Sequence, residues 1–339
     1  MNSINSGTRE EEATGMRVEA KQPEARPSRF SLSVGTQGTL VGLVLLCILF
    51  SLLTPYFLTF NNFLNILDQV TVLGIMSVGM TAVIIIAGID LSVGSVIALT
   101  MMTLGVLTQG YNWPFPAAAL VGILAGGLSG LVAGGLITFA RLPDFIATLA
   151  LMSIDRGISN LLTDGQQVIG YPDWFTNLSA ERHFGFLSIT TLLFIVIAII
   201  AAIYLRFRTG GRNLYVIGGS KEVARLAGIN VRKATLAVYV ASGLLSGIAA
   251  ITLAARMNAS LPSAGEGYEL DAIAAVVIGG ASLFGGVGTI AGTVIGVLII
   301  GVLRNGLNLM GVSPFFQEIV IGAVVALAVA LDTLGKKKE

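Results

Sequence analysis

The 339-residue chain is 54% apolar and only 12% charged, with 42 glycines and a net charge of +1. Soluble domains usually carry about 25% charged residues, so this composition argues against a soluble enzyme and indicates a protein of the lipid bilayer. A near-neutral chain gives no reason to expect a nucleic-acid partner. One cysteine, Cys47, and one histidine, His183, exclude a disulfide framework and a cysteine- or histidine-based metal site.

The chain begins with a polar segment of mixed charge. Residues 1–35 are too long and too acidic for the start of a signal peptide, and no small-residue cleavage pattern follows. We predict a disordered cytoplasmic tail here, with an amphipathic surface helix as the alternative. Residues 335–339, rich in lysine, are predicted to form a second, basic cytoplasmic tail. The transmembrane domain then occupies residues 36–334.

Apolar runs follow one another along this domain. A helix that crosses a bilayer needs about 20 mostly apolar residues. A shorter run, 270–280, covers about half a bilayer at about 1.5 Å per residue. The sequence therefore predicts an all-α integral membrane protein with about ten membrane segments. The nine full-length runs are 36–55, 70–88, 92–109, 116–139, 145–163, 187–206, 234–255, 287–309 and 316–334.

The basic residues predict the orientation of these segments. With the N-terminus inside, most lysines and arginines fall in the N-terminal tail, in the loop 206–233 and at the C-terminus. Cytoplasmic loops carry such an excess of basic residues. We therefore predict that both termini lie in the cytoplasm and that the number of membrane segments is even.

The longest loop on the predicted cytoplasmic side is residues 206–233. Within it, Ser220 is typical of a helix N-cap, and Gly228 is typical of the residue that ends a helix. The pattern predicts a short amphipathic helix over residues 221–227. Such a helix between two membrane segments suits docking of a soluble partner, or it lies on the membrane surface with its charges solvated.

An aspartate interrupts two apolar runs in AGIDLSVGS, residues 87–95. The two runs together are long enough for two crossings, so we expect Asp90 at the turn between them, near the cytoplasmic side. Its carboxylate is predicted to cap the next helix by accepting the backbone N–H of Val93 or Ser92. Gly88 and Gly94 are expected to let the turn close tightly. A part in gating is the alternative.

A second glycine-rich stretch, residues 272–286, repeats this pattern at an offset of 192 residues. Transporters are often built from duplicated halves, although the match is short and apolar enough to arise by chance. Ser282 corresponds to Asp90, and Gly285 and Gly286 complete the second turn.

Neutral amides are the main polar groups within the runs. A path lined by amides and hydroxyls suits a neutral, hydrogen-bonding solute such as a sugar, although the same groups also hold helices together. No GxxxxGK[ST] loop, HExxH motif or catalytic carboxylate pair occurs, so we expect neither ATP binding by this chain nor an enzyme. The candidate pathway residues are Asn65, Gln69, Asn160, Asn305 and Asn308.

Four stretches carry a family resemblance over residues 36–334. In chain order they are AGIDLSVGS, SKEVARLAGINV, AGEGYELDAIAAVVIGGASLFGG and RNGLNLMGV. They resemble the membrane permeases of ribose-type ABC sugar importers, in the order and at the spacing of that family. The resemblance implies a type II importer-like subunit of about ten helices in the bacterial cytoplasmic membrane.

The resemblance also implies partners. A second permease copy or a close relative would complete the pore, and a periplasmic binding protein would deliver a monosaccharide, ribose or a similar pentose. A cytoplasmic ABC ATPase would bind ATP and Mg²⁺, and the permease itself would bind no cofactor. The segment that matches the ATPase-coupling helix comprises Ser220, Lys221, Glu222, Val223, Ala224, Arg225, Leu226, Ala227 and Gly228.

The residues alone leave two other transporters open. An ion-coupled secondary transporter would usually need carboxylates or broken-helix carbonyls at mid-bilayer. A passive channel for a small polar solute would need neither an ATPase nor a binding protein.

Overall fold

The computed structural model describes residues 34–183 and 185–336. The described chain is a bundle of helices with four two-residue strands, in which β1 (Val168–Ile169) pairs antiparallel with β4 (Ala259–Ser260) and β2 (Arg182–His183) with β3 (Leu187–Ser188). A π-helical turn, Val106–Gly110, continues α3. The helices are α1 (Val34–Leu53), α2 (Phe60–Ile85), α3 (Val93–Gly105), α4 (Phe115–Thr138), α5 (Asp144–Leu161), α6 (Asp173–Ala180), α7 (Ile189–Phe207), α8 (Thr209–Gly219), α9 (Lys221–Leu226), α10 (Val231–Met257), α11 (Tyr268–Ile278), α12 (Ile290–Leu309) and α13 (Pro314–Lys336).

Helix α2 lies at the centre of the bundle. It packs against α7, α8, α10, α11 and α12, and nearly every side chain from Val70 to its end is buried. A helix that is apolar on all sides is stable only when it is surrounded by other helices or lipid. The peripheral helices instead expose large apolar side chains such as Leu52, Leu128 and Ile200. An outward apolar surface of this kind is suited to a bilayer.

Glycines bring α4 and α10 into backbone contact. A Cβ atom at Gly130 of α4 would collide with the carbonyl oxygen of Tyr239, and one at Gly243 of α10 would collide with that of Gly126. Lipid offers no hydrophobic force between helices, so close approach through small residues supplies the packing energy. The glycine-rich sequence of α4 is thus explained by its contact with α10.

Six of the described helical segments are long and apolar enough to cross a membrane. Helix α5 carries three charged residues, and α1 and α13 contain shorter described apolar stretches, Gln37–Leu53 and Pro314–Leu327. The predicted short segment 270–280 is α11, which has 11 residues. The six segments are α2, α3 with its π-helical turn, α4, α7, α10 and α12.

Several predicted boundaries need correction. Helix α2 begins at Phe60 rather than near residue 70. Polar residues such as Asn61, Asn65 and Asp68 interrupt its first turns, so a search for continuous apolar runs leaves these turns out. Thr59 caps the helix by accepting the N–H of Asn62 at 3.2 Å. Helices α6 and α8 lie in segments predicted as loops.

The predicted tails lie largely outside the described residues. Of residues 1–35, only the last two are described, and they begin α1. Of residues 335–339, the first two end α13.

The bundle has two distinct ends. One, the α9 end, comprises α8, α9, the link between α4 and α5, and the start of α10. Helix α9, this link and the start of α10 line a cleft, and α8 packs against α9 and α10. The α6 end holds α6 and the strands, and there Asn62 of α2 and Asn305 of α12 form a reciprocal pair of side-chain hydrogen bonds at 2.9 Å.

The α4–α10 contact predicts opposite effects of alanine at two glycines of α4. Gly130→Ala should lower the free energy of unfolding by about 1–3 kcal/mol, because the new methyl group meets backbone that cannot move aside. Gly135→Ala is the matched control, since no atom of the described residues lies within 4 Å of its Cβ position. That variant should be neutral or more stable by up to about 1 kcal/mol. Denaturant unfolding in detergent measures both, and equal losses would contradict the packing described here.

Candidate functional site

Helix α9 has both predicted end signals. The Ser220 hydroxyl accepts the N–H of Val223 at 3.3 Å, which caps the first turn. Gly228 has a φ of 76° and donates its N–H to the carbonyl of Arg225 at 3.0 Å. The helix ends at Leu226, one residue earlier than predicted, with Ala227 as the C-cap.

The side chains of α9 divide into buried, charged and exposed apolar positions. Ala224 is fully buried against the bundle, whereas Val223 and Leu226 are 56% and 89% exposed. The charged residues Lys221, Glu222 and Arg225 are also exposed. Helix α9 thus exposes two large apolar side chains, Val223 and Leu226, among three charged ones.

Helix α8 fastens this loop to two turns of the membrane domain. We call residues 85–92 the first glycine turn and residues 279–289 the second glycine turn. A Cβ atom at Gly218 would collide with the Ile85 carbonyl and with the backbone nitrogen of Gly286. Gly286 in turn donates its N–H to the carbonyl of Ile85 at 2.8 Å. The residues just before α9 therefore touch both turns directly.

Two further contacts complete this junction. The Tyr215 hydroxyl of α8 donates to the carbonyl of Gly288 at 3.0 Å, and burial raises the pKa of this tyrosine. Gly285 has a φ of 83°, and a Cβ atom there would lie 2.7 Å from that of Ala87. The two turns and α8 thus meet at positions where only glycine fits.

The two glycine turns also begin alike. Helices α2 and α11 each end in a left-handed residue, Ala87 (φ 59°) and Gly280 (φ 90°). Each donates its N–H to the carbonyl three residues earlier at 2.9 Å, and the next residue donates to the carbonyl five residues earlier. This is the Schellman pattern of a helix C-terminus. The equivalent left-handed residues are 193 positions apart, one more than the offset in the sequence.

Asp90 organises the first turn. Its Oδ1 accepts the N–H of Ser92 at 3.0 Å and the hydroxyl at 2.6 Å, and its Oδ2 accepts the hydroxyl of Ser242 at 2.9 Å. The predicted bond from the Ser92 N–H is present, but the N-cap of α3 is Ser92, so the Asp90 carboxylate closes the turn before the helix and does not cap the helix itself. In the second turn the Ser282 hydroxyl accepts the N–H of Phe284 at 3.3 Å, in the same geometry.

The depth of Asp90 differs from the prediction. It was expected at a turn near the cytoplasmic side, but Ser242 lies near the middle of the 27-residue helix α10, and Asp90 is only 1% exposed. Helix α3 starts partway along the bundle, a position that counting residues across two runs does not reveal. Gly94 permits this start, since a Cβ atom there would meet the Gly265 carbonyl and the Glu269 carboxylate.

Gly88, the other glycine of the first turn, lies under α10. A Cβ atom there would be 2.8 Å from the hydroxyl oxygen of Tyr239. That hydroxyl donates to the carbonyl of Ile89 at 3.3 Å, so Tyr239 covers the turn.

A second buried carboxylate, Asp155, is also hydrogen-bonded. It is 2% exposed and accepts the hydroxyl of Ser129 at 2.6 Å. The neighbouring Arg156 donates to the carbonyls of Pro262 and Ala264 at 2.6 and 2.9 Å. These charged residues hold α5 to α4 and to the loop before α11.

The five candidate pathway amides do not come together. Asn305 is locked in its pair with Asn62, while Asn160 donates to the carbonyl of Arg156 on its own helix at 2.8 Å. Asn308 is exposed at the end of α12. The two remaining amides, Asn65 and Gln69, lie one turn apart on α2 at the α6 end.

Charged residues outside the predicted pathway set surround these two amides. Arg182 donates to Asn65 at 2.8 Å and pairs with Asp68 at 3.5 Å. Gln69 lines a cavity of about 40 Å³ together with Tyr268, Asp271 and Arg304, the last two of which form an ion pair. Charged residues within apolar helices are the sequence signal that would have identified this group.

The sequence of this chain is similar to that of known transport proteins over most of its length. The family described as "Branched-chain amino acid transport system / permease component" matches residues 62–329, most of the chain. The chain belongs to this permease family. It is therefore a component of a transport system rather than an enzyme, and a multi-pass protein of the bacterial inner membrane.

Individual relatives are similar to the permease over nearly its whole length. The ribose import permease protein RbsC of Bacillus subtilis (strain 168) is 41% identical over 94% of this chain and 98% of its own. RbsC of Escherichia coli (strain K12) is 44% identical over 87% and 93%. The D-allose transport system permease protein AlsC of the same strain is 38% identical over 95% and 98%. No solved structure matches.

The Asp90 network predicts a graded loss of stability. Asp90→Ala removes the acceptor of three hydrogen bonds and leaves buried donors unpaired, so the free energy of unfolding of the permease should fall by about 1–3 kcal/mol. Asp90→Asn keeps one carbonyl acceptor and should lose less. Denaturant unfolding in detergent measures both, and an alanine variant as stable as the parent would contradict the role of this carboxylate.

Proposed function

We propose that this permease passes a monosaccharide, with ribose as the first candidate, into the cytoplasm as the pore subunit of an ABC importer. The observation that carries the proposal is its similarity to ribose import permeases over nearly the whole chain. The allose relative is similar over as much of the chain, so the class of substrate is monosaccharide rather than pentose alone.

We further propose ten membrane segments with both termini in the cytoplasm. The six long apolar helices are joined by α1, α5, α13 and the half-length α11. The ion pair between Asp271, at the start of α11, and Arg304, near the end of α12, supports an antiparallel hairpin of these two helices. In this topology the α9 end, where the basic loop lies, faces the cytoplasm.

The energy for transport would come from another chain. We propose that α9 docks into a cytoplasmic ABC ATPase that binds ATP and Mg²⁺, through the exposed side chains of Val223 and Leu226. The contacts of Gly218 with both glycine turns support this role, because they join the docking surface to the interior of the membrane domain. A second permease copy or close relative would complete the pore.

The sugar would enter at the α6 end. We propose that a periplasmic sugar-binding protein docks there and that Asn65 and Gln69 lie near the entrance, beside Asp68 and Arg182. Amides and charged side chains are among the polar groups that orient a small polar ligand in its site. We also keep as proposed pathway residues Asn160, Asn305 and Asn308, which the structure does not bring together.

Reconstitution tests this function against its alternatives. Proteoliposomes that contain the permease, its ATPase and its binding protein should accumulate labelled ribose or allose only when ATP is present on the ATPase side. Uptake by the permease alone under an ion gradient would instead show a secondary transporter, and equilibration without ATP would show a passive channel. Either result would overturn the proposal.

Docking through α9 predicts that a charge at Leu226 disrupts the contact with the ATPase and so stops ATP hydrolysis from driving uptake. Leu226→Asp places a charge on the most exposed apolar side chain of α9, so sugar-stimulated ATP hydrolysis and uptake should fall at least tenfold while membrane insertion is retained. Leu226→Met is the matched control and should keep both activities, because it preserves apolar volume. Unchanged uptake by the aspartate variant would exclude this contact.

A further inference from the structure

A strongly basic cleft opens beside α9. It has a volume of about 690 Å³ and lies between the end of α4, α9 and the start of α10. Among the described residues, four cationic ones line it, Arg141, Lys221, Arg225 and Arg232, and no acidic one does. We call it the basic cleft. Like charges in one cleft repel each other, so the arrangement favours an anion that neutralises them.

None of these four cations is neutralised within the described part of the chain. All four are exposed, and none forms an ion pair with an acidic side chain there. An adjoining cavity of about 300 Å³ extends inward from Arg141 and Lys221 to Gly88 and Asp144. The carboxylate of Asp144 accepts the N–H of Ile89 at 3.0 Å and would repel an anion, so the anion belongs in the outer, basic part.

The basic cleft is separate from the exposed apolar side chains of α9, Val223 and Leu226. Lys221 and Arg225 are four residues apart, which places them on one side of the helix. Leu226 and Val223 project elsewhere and do not line the cleft. A partner that covers Val223 and Leu226 therefore leaves the side of α9 with Lys221 and Arg225 available.

Exposed apolar side chains flank Arg141, a residue of the basic cleft, along the link between α4 and α5. Phe139, Leu142 and Phe145 are 68%, 38% and 50% exposed on either side of Arg141. Arg141 itself has a φ of 58°, a left-handed conformation that is unfavourable for a residue other than glycine. A site that combines four cations with exposed aromatic and aliphatic groups suits an amphiphile better than a soluble anion.

We propose that the basic cleft binds the phosphate headgroup of an anionic phospholipid from the cytoplasmic leaflet, with its acyl chains against Phe139, Leu142 and Phe145. Basic pockets between membrane helices on the cytoplasmic side recognise such headgroups. The inference rests on the proposed topology, which puts the α9 end in the cytoplasm. A bound headgroup would lie beside α9, on the outer side of the cavity that leads to Gly88.

Lipid titration of the purified full-length permease in detergent tests this site. Fluorescence polarisation would compare labelled dioleoylphosphatidylglycerol with labelled dioleoylphosphatidylcholine, which has the same chains but no net charge. The parent should bind the anionic lipid at least tenfold more tightly. Arg141→Gln with Arg232→Gln should weaken that binding about fivefold for each charge removed. Neither substituted residue belongs to α9, so the surface proposed to dock the ATPase is unchanged.

A matched double variant, Arg208→Gln with Arg212→Gln, removes the same charge at the same end but outside the basic cleft. It should bind the anionic lipid like the parent. Equal loss in the two double variants, or no preference for the anionic lipid, would overturn the site. Monodispersity and thermal unfolding verify that each variant is folded, and a variant that fails is replaced by the single Arg141→Gln change.

Two further arms identify the source of the anion. Inorganic phosphate that displaces the lipid at millimolar concentration would show a soluble-anion site and overturn the lipid assignment. Loss of ATPase assembly in the Arg141/Arg232 variant, with lipid binding unchanged, would assign the basic cleft to the protein interface instead. Because lipid binding is measured without ATPase or sugar, its failure leaves the proposed transport function standing, and failure of transport leaves the lipid result standing.

Discussion

A chain that interrupts a helix inside a bilayer must find partners for every backbone group it frees, because no water is available there. The two glycine turns satisfy this requirement with one another. Gly286 donates to the carbonyl that α2 leaves free at Ile85, and the Schellman bonds use the last carbonyls of α2 and α11. The remaining architecture of the permease depends on this arrangement, since α3 and α12 can start inside the bundle only where the turns are closed.

The polar side chains of the interior follow the same constraint. Asp90 and Asp155 are buried, yet serine hydroxyls from neighbouring helices donate to both carboxylates. A buried carboxylate without such donors would cost several kcal/mol. These acids therefore specify which helices touch at mid-bundle. Their hydrogen bonds make them structural groups of the permease.

Local signals in the sequence predicted local structure well. The N-cap at Ser220 and the stop at Gly228 depend on neighbouring residues only, so both could be read from a short stretch. The amide pair of Asn62 and Asn305 joins residues 243 positions apart, so no local sequence pattern predicts it. The depth of Asp90 was missed for the same reason, because α10 rather than the adjacent chain fixes it. Family resemblance supplied the class of transporter, whereas the residues alone left two alternatives.

The contact of Gly218 with both turns has a mechanical consequence. Backbone packed against backbone is stiff, since no side chain can change rotamer to absorb a displacement. Helix α8 therefore joins α9 to the first and second glycine turns through backbone contacts that leave little room for local adjustment. A displacement of α8 would be transmitted to both turns as a rigid-body movement, without a relay of side chains.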